Sequence, residues 1–104
     1  MKLYHVVENY DGGDLLSLYE QYGDRAYELF LDKWPESGEL GHYHAHYIHL
    51  YSSVDDARKS GIYGEILEID IPDTEIQCLL EIDTLEFPHP MIRDCLPKRY
   101  INNK

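Results

Sequence analysis

Cations are scarce in this chain. Nine Lys and Arg stand against twenty Asp and Glu over 104 residues, a formal net charge of −11 with histidine counted as neutral. A surface of that sign repels phosphate backbones and disfavours nonspecific nucleic-acid binding; it suits a basic protein partner, or solubility alone. Cysteine is scarce too. Cys78 sits in an apolar run and Cys95 near Pro97, which is no framework of disulfide pairs and points to a reducing compartment. Cys78 reads as a buried thiol. No apolar run approaches the roughly 20 residues that cross a bilayer, and the opening segment from Met1 to Glu8 turns polar too early for a signal peptide. These features predict a soluble, cytoplasmic chain without membrane attachment. Also missing are internal repeats, low-complexity linkers, a Gly-rich phosphate loop, a Gly-x-Ser-x-Gly elbow and a Cys-x-x-Cys pair. The length fits one domain over residues 1–104.

What is present in excess is tyrosine, ten in all, together with six histidines. Tyrosine brings apolar area with a hydrogen-bonding tip, so it serves either a strand-rich core edge or a contact surface. The chain opens with a strand from Lys2 to Val7, broken by Asn9-Tyr10-Asp11-Gly12-Gly13. Asp14 is placed to cap a short helix that puts Leu15, Leu18, Tyr19 and Tyr22 on one face and stops at Gly23. Asp24 can cap a second helix, with Ala26, Leu29, Phe30 and Lys33 on one side, Tyr27, Leu31 and Trp34 on the next, and Pro35 as the stop. This helical hairpin is apolar around much of its girth and needs a covering surface. After a loop, residues His42 to Tyr51 read as a strand. Ser53 has capping-box spacing to Asp56 and starts a short helix ending at Gly61. Glu65 to Ile71 is a strand with Leu67, Ile69 and Ile71 on one face. Ile76 to Asp83 alternates and reads as a strand, with a short helix as the alternative. Pro88, Pro90 and Pro97 mark a rigid loop, and Arg99 to Asn102 a last edge strand. The absence of regular βα alternation predicts an α+β fold: a small, split, mainly antiparallel sheet with a helical hairpin after the first strand.

The most informative stretch is His42-Tyr43-His44-Ala45-His46-Tyr47-Ile48-His49-Leu50-Tyr51. Extended, it puts His42, His44 and His46 on a face with Ile48 and Leu50, and Tyr47, His49 and Tyr51 on the other. Two of the first three histidines, with a distant His or acid, could hold a metal ion. The plainer reading is surface histidines at a half-exposed strand end, and no metal site is assigned. The second face can line a cleft with His5 of the first strand. A His and a Tyr on neighbouring strands can grip ribose hydroxyls and stack on a flat heterocycle; otherwise His5 is a satisfied core histidine.

These segments, in this order, resemble the ADP-ribosyltransferase superfamily. Leu3-Tyr4-His5 resembles its first motif, in which a His follows an aromatic residue on the first strand. Tyr47 to Ser53 and Val54-Asp55-Asp56-Ala57 are similar to its second strand and capped helix, as in the small rifampin ADP-ribosyltransferases and the RNA 2′-phosphotransferases. Gly64 to Pro72 is similar to the next strand, and Leu96-Pro97-Lys98-Arg99-Tyr100-Ile101 to the closing segment. The resemblance implies NAD bound between two small sheets and ADP-ribose transfer, in an active member or in one that has lost catalysis. It implies that His5 contacts the ribose, and that His49, Tyr47 or Tyr51 takes the stacking position. A late acid, best matched by Glu86 with Asp73 and Asp83 as rivals, would stabilise positive charge developing on the ribose. The chain departs from the pattern at Val6-Val7, where small residues are usual, and lacks the arginine set of the phosphotransferases, which argues against phosphotransfer.

A different class remains open from the residues alone. Tyr10, Tyr19, Tyr22 and Tyr27, ringed by Asp11, Asp14, Glu20, Asp24 and Glu28, could anchor a noncatalytic acidic module, such as an inhibitor, antitoxin-like factor or subunit, to a basic protein.

Overall fold

The computed structural model describes residues 1–38, 45–82 and 90–102. Strand β1, Lys2–Val7, keeps the boundaries that its alternation predicts. Helices α1, Leu18–Tyr22, and α2, Ala26–Lys33, are joined through a tight turn at Gly23–Arg25. Strand β3 is Tyr47–His49, and helix α3 is Val54–Lys59, capped by the Ser53 hydroxyl accepting from the Asp56 N–H at 3.1 Å. Strand β4, Glu65–Asp70, sits at the centre of a three-stranded sheet in the order β1-β4-β8, where β8 is Ile101–Asn102. A second three-stranded sheet has the order β3-β6-β5, with β5 Leu80–Ile82 and β6 Pro90–Arg93. Every registered strand pair is antiparallel. The chain is thus α+β with a split antiparallel sheet.

The halves meet at one point. Tyr4 and Tyr51 exchange both backbone hydrogen bonds, at 2.8 and 2.7 Å, and among the described residues pairing between the two sheets goes no further. The main core lies between the two sheets: Leu3, Leu67 and Ile69 from one, Ile48 and Ile92 from the other, with Leu50 at the junction. Each such fully buried aliphatic side chain contributes about 1.5–3 kcal/mol. A satellite cluster of Ala26, Phe30 and Ala45, with Leu18 and Trp34 against it, seats the helical hairpin.

Three local expectations differ in the structure. Leu15–Leu16 is a short strand, β2, paired with β7, Cys95–Leu96, instead of the first helical turn. The helix is capped by Ser17, whose hydroxyl accepts from the Glu20 N–H at 3.2 Å. Asp14 instead accepts from the Lys98 N–H at 2.8 Å. Ile76–Leu79 forms a helical turn, α4, before β5, and Cys78 is consequently exposed, not buried. The proline-marked stretch contains β6, the central strand of its sheet, with Pro90 at its first position, where a missing N–H is tolerated. Among the described residues no helix is long and apolar enough to cross a membrane.

Candidate functional site

Where the two sheets part, a cavity of about 250 Å³ opens, and His5, Tyr47, His49 and Tyr51 all line it. Strand alternation puts them there. His5 shares the inward face of β1 with Leu3 and Val7, and Tyr47 and His49 share one face of β3 with Tyr51 beyond it. The sequence-derived cleft residues therefore converge. Glu86 and Asp83 lie outside the described residues, as do His42 and His44. Asp73, the remaining rival for the acid, sits in an exposed turn beside the N-terminal ammonium at 3.8 Å and does not line the cavity.

The junction fixes the chemistry of His5. Its Nδ1 lies 2.8 Å from the backbone carbonyl of His49. A carbonyl only accepts, so Nδ1 carries the proton, and in the neutral ring Nε2 is an acceptor. His5 makes no other hydrogen bond among the described residues. Burial lowers the pKa of His5 below the ordinary histidine value, and the Lys33 ammonium pushes the same way against the opposing hydrogen bond. Val6 offers a second feature. Tyr4 turns both backbone groups out of β1 to meet Tyr51. The two-residue alternation of an antiparallel ladder turns the N–H and C=O of Val6 to the same side, into the gap beyond the last bridge. No backbone partner meets them there among the described residues.

The aromatic wall is built jointly by strand and helix. The His49 ring is 8% exposed and packs on Phe30 and Trp34, with centroids 5.8 and 6.0 Å apart. Tyr47 is buried, its hydroxyl accepting from Arg93 Nη1 at 3.3 Å. Tyr51 is hydrogen-bonded to Ser60, and burial raises its phenol pKa despite that bond. The Ser60 hydroxyl also donates to the Ala57 carbonyl at 2.6 Å. At the cavity rim Lys33 and Glu8 form an ion pair at 3.6 Å. Sequence reasoning missed Phe30, Lys33, Trp34 and Glu8 as cavity residues. The signal for Phe30 and Trp34 was the apolar girth of the hairpin, and for Lys33 its place on the same helix side as Phe30.

No protein-family model matches this chain, and neither curated proteins nor solved structures give a match. The cavity's chemistry must therefore be argued from its own residues. Among the described residues it offers a neutral imidazole acceptor, a backbone donor–acceptor pair at Val6 that meets no backbone partner, flat aromatic walls and one lining carboxylate, Glu8. Among the described residues no group of three or more His, Cys, Asp or Glu is placed to hold a metal ion.

The His5 assignment has a pH consequence. The folded state prefers the neutral ring, so below the unfolded pKa of about 6.5 the unfolded chain binds more protons than the folded one. Stability from this group is then fully present above that pH and declines as pH falls through the window beneath it. Thermal melts from pH 7.5 to 5 should show a smaller decline for His5→Gln than for the parent chain. Equal slopes would mean that His5 does not titrate in this way.

Proposed function

We propose that this chain is an ADP-ribosyltransferase-like domain that binds NAD with its nicotinamide–ribose end in the cavity at the sheet junction. The observation that carries the reading is the placement, at one gap, of the His5 imidazole acceptor beside the backbone N–H and C=O of Val6, which meet no backbone partner among the described residues. A ribose hydroxyl can donate to Nε2 of His5. A planar carboxamide can take both backbone groups of Val6, which makes up for the missing small residues there. His49, Tyr47 and Tyr51 supply ring faces for the heterocycle. NAD, when bound, supplies the ADP-ribosyl group and releases nicotinamide. The chain's part is to hold the ribose, exclude water with its aromatic wall and, through Glu86, place a carboxylate against developing positive charge. The two free cysteines and the lack of a spanning helix among the described residues fit a cytoplasmic setting.

Isothermal titration with NAD tests this. The parent chain should give a saturable isotherm, and His5→Ala should weaken it about fivefold, since a net hydrogen bond is worth ~1 kcal/mol. Glu86→Gln should leave affinity unchanged and lower transfer or NAD hydrolysis on the order of 10²-fold. Absence of heat and of competition at millimolar NAD would overturn the proposal.

One observation favours a second reading, a noncatalytic acidic module for a basic protein. Leu16, Tyr19 and Tyr22 are 41%, 41% and 49% exposed on adjoining β2 and α1. Carboxylates gather near them: burial, then Asp14, Glu20 and Asp94, raises the pKa of the Cys95 thiol paired beside Leu16. A chain that ignores NAD but forms a salt-sensitive complex with a basic protein would belong to this class.

A further inference from the structure

The first cavity is small for a dinucleotide, since pockets for drug-sized ligands usually reach about 300–1,000 Å³. A second, shallower cavity of about 540 Å³ adjoins it, and Val6 and Ile62 line both. Of its apolar lining residues, Ile62 and Ile66 are partly exposed, while Val6 and Ala57 are buried beneath them. Arg58 and Tyr63 supply its remaining side chains. Arg58 makes no ion pair and no side-chain hydrogen bond among the described residues, although the chain carries a net charge of −11. Tyr63 is 94% exposed, the most exposed large apolar side chain among the described residues.

Resting on the NAD reading, we propose that this second cavity is the subsite for the adenosine–phosphate half of the dinucleotide. The base lies against Ile62 and Ile66 with Tyr63 stacked over it, and Arg58 meets the phosphate. A guanidinium without an ion-pair partner among the described residues, lining the same cavity as an exposed aromatic ring, suits a ligand that is flat at one end and anionic at the other. The free edge of β1 at Val6 is the ridge between the two halves. Two contacts tie the loop that carries Tyr63 to the first cavity. Tyr51 of the first cavity holds Ser60, and the Ser60 hydroxyl accepts from the Ile62 N–H at 3.3 Å. Gly64 leaves the loop against the end of β1, where a Cβ would collide with the Val7 carbonyl.

The test uses the full chain, with adenosine monophosphate, nicotinamide mononucleotide and NAD as separate probes in isothermal titration. Arg58 and Tyr63 are exposed, so Arg58→Gln and Tyr63→Ala should fold, which a melt of each checks. Each should weaken adenosine monophosphate and NAD about tenfold, the scale of one base stacked on an aromatic ring. Neither should change nicotinamide mononucleotide affinity, whereas His5→Ala should weaken that probe and leave adenosine monophosphate unaffected. NAD binding indifferent to both variants would overturn the subsite while sparing the NAD reading, and would leave Arg58 as a cation at a helix C-terminus. Adenosine monophosphate bound through Tyr63 and Arg58 without any NAD binding would support a nucleotide site here and reject the NAD reading. Binding of no probe would overturn both.

Discussion

Alanine in place of Gly64 is expected to lower the melting temperature by roughly 15 °C. Gly64 has φ +155°, a region that L-residues rarely adopt, and an added methyl would overlap the Val7 carbonyl and approach Glu8 Cα at 3.1 Å. Every obstructing atom is backbone, so no side-chain rotation can relieve the contact. Strained backbone costs about 1–3 kcal/mol and overpacking a similar amount. A joint cost near 3 kcal/mol corresponds to the stated shift at about 4–8 °C per kcal/mol for a domain of this size. Gly61 in the same loop is the control. It has φ +79° with open space around it, so Gly61→Ala carries only the left-handed penalty, about 1–2 kcal/mol. Circular dichroism melts of the two variants decide the matter: equal, small shifts would show that the loop does not rest on β1. The same variant bears on function, because the atoms it would displace, at Val7 and Glu8, line the first cavity.

The parts of this molecule that a reader of the sequence can find are those set by local alternation. Lys2–Val7 alternates and is bounded by a glycine turn, so β1 and the inward place of His5 follow directly. The same period places Tyr47, His49 and Tyr51 together, and the cavity collects all three. What was hidden depends on partners far along the chain. Leu15–Leu16 continues a helical pattern until Cys95–Leu96 arrives to pair with it. Ile76–Leu79 alternates like a strand, yet coils into one turn before β5 and leaves Cys78 in solvent. Pro90 looks like a loop residue because its missing N–H is visible in the sequence, whereas its place as first residue of a central strand is not. The helical wall of the site belongs to the same class. Phe30 and Trp34 carry no motif, and only the docking of α2 brings them to His49.

That docking makes Phe30 the residue at which stability and site geometry are most tightly joined. Its side chain is 1% exposed, packs on Trp34 with centroids 4.6 Å apart, and lines the first cavity. Truncating a buried phenylalanine costs about 3–5 kcal/mol, from lost transfer energy and from the void left behind. A domain of this length has ~5–15 kcal/mol in all, so Phe30→Ala should bring the chain close to unfolding at physiological temperature. In urea the midpoint should fall by a third or more, with the slope unchanged if the native state keeps its compactness. Phe30→Leu keeps most of the volume and should cost only about 1–1.5 kcal/mol. It nevertheless removes the ring against which His49 rests. If the helical hairpin forms the wall of a binding cavity, Phe30→Leu should weaken NAD binding severalfold at temperatures where the variant is fully folded. The two variants together separate packing from recognition. A cost below about 1 kcal/mol for Phe30→Ala would mean that α2 is not seated on the sheet junction, and the cavity assigned to the junction would lose its floor.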